Sequence, residues 1–353
     1  MRSRIAIICI VIVLVAGLFA LLHLFNAPKR PDYASEPRTA KSFAMGTTCS
    51  VSIYQQDGSF DEKAFSRAIS AIQSVDEQCS LYDADSDISR VNASAAREPV
   101  EVRDVMLGCL RKALECSELS GGLFNPAIRP VLKLWGFGPG SGEKRLPEPE
   151  QLMEALSLAD VEFVKLQEGR IAFERSGVAL DLNGIAQGYA TDLAVKSLLS
   201  DGIKSALVQS GGGEFAVIGS KWSQEPFRIG IKKPSGQTTG IIAEVALEDT
   251  NIAISGDYVK FFEVEGQRFS HLIDPRTGMA KKGSSCTIAV LGPECAICDG
   301  LATAVSVLEP EEALDLISRV NGYEVIIARM DEKGPLFFHS EGIERNDALF
   351  TVR

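Results

Sequence analysis

"IAQGYATDLAVKSLLSDGI", residues 185–203, followed at once by "SALVQS" (205–210) and "EFAVIG" (214–219), decides the fold class. The first run predicts a helix that stops at Gly202. The next two are short, β-rich runs separated by a turn of three glycines, 211–213. Further strand patterns follow: "PFRIGI" (226–231), "IIAEVAL" (241–247), "NIAIS" (251–255) and "YVKFFEVEG" (258–266). Then come "CTIAVLG" (286–292), helices near 294–307 and 309–320, and the strands "YEVIIARM" (323–330) and "LFFHS" (336–340). Toward the N-terminus, "TTCSVSIY" (47–54) predicts a strand, and two amphipathic runs, 61–80 and 102–122, predict helices. Helices and strands intermix without regular βαβ alternation. The expected fold is therefore α+β, a mixed and largely antiparallel sheet with packed helices. Composition does not break between 43 and 353, which argues for one domain there.

Residues 5–25, "IAIICIVIVLVAGLFALLHLF", form an apolar run of spanning length after "MRSR". It predicts an N-terminal membrane helix, residues 1–27 being an anchor or a signal segment. Arg2 and Arg4 would keep the N-terminus cytoplasmic and place the rest of the chain outside. Residues 28–42 are polar with three prolines and predict a linker. The net charge of −11 argues against nucleic acid as a partner, since phosphate affinity needs a basic face. Eight cysteines fit no zinc spacing; buried thiols are the plain reading, and an exported protein could pair some of them.

Three stretches could carry chemistry. "ALDLNGIAQGYATD" (179–192) runs from an apolar strand end into a helix, with Asp181 and Asn183 suited to the helix start. Gly184 there lets backbone approach a ligand, although a plain capped helix would look the same. "CDGLATAVSVL" (298–308) puts Asp299 and Thr303 four residues apart on one helix face. Their oxygens suit a hard cation such as Mg²⁺; a helix cap and a back-bonded threonine are the structural alternatives. "FSHLIDPRTG" (269–278) carries His271, one of only three histidines. It pairs in expectation with "ISGDYVKFF" as a hairpin, and Asp257, Asp274, Arg276 and Thr277 lie near enough to tune it.

In order, "AMGT", "LYDADSDISRVN", "LFNPAIRPVLKLWGFGP", "DLNGIAQGYATD", "GGGEFAVIG", "IAISGDYVKFF", "HLIDPRTG" and "DGLATAVSVL" resemble the FAD:protein FMN transferases, the ApbE family, over about residues 43–350. The resemblance implies Mg²⁺-dependent transfer of FMN from FAD to a Thr or Ser hydroxyl of a target protein, with AMP released. It implies a bacterial inner-membrane location with the catalytic domain in the periplasm. It also implies a flavin-accepting partner, such as subunits of Na⁺-pumping NADH:quinone reductase or Rnf-type complexes. Carried over by position, the metal is held by the Gly184 carbonyl, Asp299 and Thr303. FAD contacts fall on Met45, Tyr82, Leu123, Phe124, Asn125, Asp181, Gln187 and Leu272, and His271 with Asp257 are the catalytic candidates. Asn125 stands where most members carry Asp, and Asn183 and Gln187 where Gly and Lys are common. Two alternatives stay open: an Mg²⁺-dependent FAD pyrophosphatase, with water as acceptor, and a tethered FAD-binding module without catalysis.

Overall fold

A computed structural model describes residues 37–54, 61–221, 225–234, 240–256, 261–264, 267–282, 286–331, 333–344 and 349–353. The predicted anchor lies outside these residues, and no described helix is long and apolar enough to cross a membrane. The helices are α1 (Lys63–Cys79), α2 (Asp87–Ser94), α3 (Asp104–Leu119), α4 (Arg129–Leu134), α5 (Pro149–Leu158), α6 (Ala186–Ser200), α7 (Cys295–Val305), α8 (Pro310–Ser318) and α9 (Glu341–Glu344).

The main sheet runs β1 (Arg38–Ala44), β2 (Thr47–Ile53), β6 (Ala206–Ser210), β7 (Glu214–Ile218), β10 (Asn251–Gly256), β14 (Cys286–Gly292), β15 (Glu324–Asp331) and β16 (Gly334–His339). Every neighbouring pair in it is antiparallel. Three smaller sheets hold β11 (Phe261–Val264), β12 (Gln267–Ile273) and β13 (Ala280–Lys282); β17 (Phe350–Val352), β9 (Ile241–Leu247) and β8 (Phe227–Lys232); and β3 (Val100–Glu101), β5 (Arg170–Phe173) and β4 (Val164–Gln167).

Side-chain alternation divides the core. Along β14, Ile288 and Val290 join Ile72, Leu110, Ile185 and Leu301 of the helical layer. Ala289 and Leu291, pointing the other way, join Phe227, Ile229 and Val245 beneath the sheet. Because both faces are covered, all seven residues of β14 are buried, and its sequence reads as an unbroken apolar run.

Two boundaries differ from expectation. The stretch 38–42, predicted as linker, belongs to β1, an edge strand paired with β2 from Arg38↔Ile53 to Ala44↔Thr47. Its mostly exposed, polar residues are those an edge strand tolerates, and they hide the strand from a search for apolar alternation. Ser255 and Gly256, predicted to open the strand that pairs with the histidine strand, instead end β10 in the main sheet. The hairpin itself forms between β11 and β12, Phe261 facing Ser270.

A satellite core of Val131, Trp135, Ala155, Phe269 and Ala280 seats that hairpin on α4 and α5. Trp135 is fully buried, its ring centroid 5.5 Å from that of Phe269, and its Nε1–H donates to the Gly278 carbonyl at 2.7 Å. Gly278 has φ +69°, and a Cβ there would press into Leu152 at 2.7 Å, so only glycine lets α5 lie this close. Trp135→Phe leaves the Gly278 carbonyl unpaired in a buried place. It is expected to lower the unfolding free energy by about 1–3 kcal/mol, read as a shifted urea midpoint. An unmoved midpoint would remove Trp135 as the hairpin's anchor.

Candidate active site

The site is built where the start of α6 meets the middle and last turn of α7. The chain comes off a buried segment, Val178–Leu182, and turns at Asp181, whose Oδ1 accepts the Asn183 amide at 3.0 Å. Asp181 thus shapes a turn ahead of α6 rather than capping the helix: the cap position is Ile185, without a side-chain cap. Its own amide donates to the Pro126 carbonyl at 2.8 Å, tying this turn to the Leu123–Asn125 segment. The Asp181 carboxyl lies 3.5 Å from the equally buried Arg129 guanidinium. Burial raises its pKa, against the pull of the Asn183 N–H and of Arg129. Arg129 in turn donates to the carbonyls of Phe137 and Pro139.

Asn125 uses both ends of its amide on backbone. Oδ1 accepts the Ala127 N–H and Nδ2 donates to Ala159 O, both at 2.8 Å. A carboxylate could not make the second bond, so asparagine here locks the start of α4 to the end of α5.

Beyond the turn, Gly184 faces α7. The Thr303 hydroxyl is 3.5 Å from the Gly184 carbonyl. A Cβ on Gly184 would stand 3.1 Å from Thr303 Oγ1 and 3.2 Å from the Phe124 ring, so glycine is what allows the three to converge. One turn earlier on α7, Asp299 is 9% exposed and its Oδ2 accepts the Gly188 amide, in the first turn of α6, at 3.1 Å. A helix-start amide that could bind a phosphate is therefore taken by the carboxylate. Asp192 holds α7 in place: Oδ1 and Oδ2 accept the amides of Cys295 and Ala296 at 2.8 and 2.9 Å.

The electrostatics of this corner are one-sided. Burial pushes the Asp299 carboxyl up to about 7, opposed by the Gly188 N–H and helped by the charge of Asp192. Burial likewise pushes Asp192 up to about 6. Glu214, at the start of β7 and 7% exposed, is raised well above the usual carboxylate range, first by burial and then by Asp299. Among the described residues no lysine or arginine pairs with any of the three. A buried carboxylate without a counter-ion keeps its proton; a bound cation removes that need. The donors offered, a carboxylate, a hydroxyl and a backbone carbonyl, are all oxygens, the set that Mg²⁺ takes. The residues present therefore fit the ion.

The other predicted residues are distributed around this corner. Phe124 touches it, and Gln187 lies in the first turn of α6 with its Oε1 toward Gly211. Met45, in the tight β1–β2 turn with φ +52°, packs on the helical core beside which Leu123 also sits. Tyr82 is not packed against the corner; its ring is 76% exposed. Leu272 is buried in β12. His271 is half-buried in the same strand, whose following turn is tied to Trp135 at the end of α4. Asp274 and Arg276 close on each other, Nη2 to Oδ2 at 2.7 Å. Asp257 lies outside the described residues. Asp192, Arg129 and Glu214 escaped the sequence reading. The available signal was an ionisable residue where the pattern wants an apolar one, as with Glu214 opening the buried strand "EFAVI". The seven described cysteines are buried.

Residues 45–327 match the ApbE family. The FAD:protein FMN transferase of Vibrio cholerae is 31% identical over 291 residues, 82% of this chain and 86% of that protein. That of Haemophilus influenzae is 32% identical over 298 residues, 81% and 85% respectively. The crystal structure of the Pseudomonas stutzeri flavinyl transferase ApbE in its apo form superposes with a TM-score of 0.78 at 30% identity, covering 88% of this chain and 96% of that one. The flavin transferase ApbE from Vibrio cholerae does so with a TM-score of 0.75 at 28% identity, covering 88% and 99%. With most of its length matched and its oxygen donors gathered between the start of α6 and the inner face of α7, the chain belongs to the ApbE family.

Proposed function

We propose that this protein is an FAD:protein FMN transferase, moving FMN from FAD onto a hydroxyl of a partner protein and releasing AMP. The observation that carries the reading is the meeting of the Gly184 carbonyl, Thr303 and Asp299 beside Phe124. The names of the relatives support the flavin half of it. Mg²⁺ held by those three groups would draw charge from the diphosphate, the main need of a phosphoryl transfer. The buried Phe124 and the Asp181 turn would border the dinucleotide. His271 would accept the proton of the attacking hydroxyl, and the flavin phosphate would pass to that oxygen as the bond to AMP breaks. The acceptor is a Thr or Ser of another protein. The predicted N-terminal anchor would hold the enzyme at the bacterial inner membrane, with the site in the periplasm.

The test is to incubate the protein with FAD, Mg²⁺ and a purified candidate acceptor, then weigh the acceptor by mass spectrometry. An added FMN with equimolar AMP is expected. Free FMN with no labelled acceptor would instead mark a pyrophosphatase, and intact FAD a binding module.

A further inference from the structure

We propose that Glu214 supplies a second carboxylate to the cation that Gly184, Asp299 and Thr303 would hold, so the ion is gripped from the sheet as well as from the helices. This rests on the cation site of the proposed function and adds a residue to it. Two adjacent residues of α6 bring the acids together. The Gly188 amide binds Asp299 Oδ2, and Gln187 lies against Glu214: Gln187 Oε1 and Glu214 Oε2 stand 2.8 and 2.7 Å from the point a Cβ on Gly211 would occupy. Glu214 Oε2 accepts the Gly213 amide through a long bond of 3.3 Å.

An independent observation comes from the neighbouring strand. Ser210 pairs with Glu214 in the β6–β7 register, and directly paired residues share a face of the sheet. That face is the one toward the helices, since Ala206 and Val208 of β6 pack into the helical core. Ser210 is fully buried there, and its Oγ makes no hydrogen bond of normal geometry, only the weak thiol of its cross-strand partner Cys49 lying beside it. A buried hydroxyl so poorly satisfied, beside buried carboxylates, is costly in a closed core and is relieved by a hydrated cation. The Gly-rich turn before Glu214 keeps the approach open, since a Cβ on Gly211 would fill it.

The experiment is Mn²⁺ titration of the FAD-free full chain, followed by the electron paramagnetic resonance of free Mn²⁺, for wild type, Glu214→Gln and Asp299→Asn. Thermal unfolding in chelator is recorded for each. Glu214→Gln is expected to weaken Mn²⁺ binding about 10–100-fold while its chelated midpoint equals or exceeds the wild type, because a neutral amide of the same shape replaces a buried acid that has no role in the metal-free fold. Wild-type affinity in Glu214→Gln with loss in Asp299→Asn overturns this proposal and leaves the transferase reading standing. A lowered midpoint or misfolding of Glu214→Gln also overturns it, for the carboxylate would then serve the fold. No Mn²⁺ binding by the wild type would remove the cation site itself.

Discussion

Asp299→Asn is expected to cut FMN transfer by about 10²–10³-fold, the usual cost of losing a group that stabilises developing charge. The change is nearly isosteric, and the new amide oxygen can still accept the Gly188 N–H that Asp299 accepts at 3.1 Å, so the junction of α6 and α7 stays closed. What goes is the negative charge. That charge is unfavourable in the metal-free fold: burial has already pushed the carboxyl up to about 7, and Asp192 adds to the push. The variant should therefore unfold no more easily than the wild type without metal, and only the gain in stability from added Mg²⁺ should shrink. The two readings together separate a ligand from a structural acid. Transfer at wild-type rate with saturating Mg²⁺ would defeat the assignment of Asp299 and, with it, the proposed site.

How much could be read in advance follows from the range of each interaction. "CTIAVLG" reads as a buried strand because its neighbours on both faces impose apolar side chains at every position. The start of α6 and the Asp299/Thr303 face are legible because their spacing lies within one helical turn. β1 was hidden because an edge strand facing water carries the composition of a linker. Asp192 and Trp135 were invisible for another reason. Their partners, the α7 amides and Gly278, lie 103 and 143 residues away along the chain, and no local pattern encodes such a meeting. Asn125 shows the same limit in reverse. The resemblance implies a ligand contact there, and the structure adds a second task, its amide joining α4 to α5.

His271→Ala is expected to lower transfer by about 10²–10⁴-fold, the range for losing a positioned proton acceptor. FAD affinity, followed by quenching of flavin fluorescence, should stay within a few-fold of wild type. The expectation follows from where the strand puts the ring. In β12 the half-buried His271 lies between the buried Ser270 and Leu272, so part of the imidazole stays open to a substrate. Its removal empties no part of the satellite core, which is built from Val131, Trp135, Ala155, Phe269 and Ala280. The hairpin keeps its seat through Trp135 and Gly278, and its turn is still closed by Arg276 on Asp274. Dinucleotide binding should survive for the same reason, since Phe124, Asp181 and the cation donors lie on other elements. A defect confined to the chemical step is thus the signature of the histidine's role. Equal losses in FAD binding and in transfer would instead make His271 a flavin contact, and unchanged transfer would leave the hydroxyl's proton to another group.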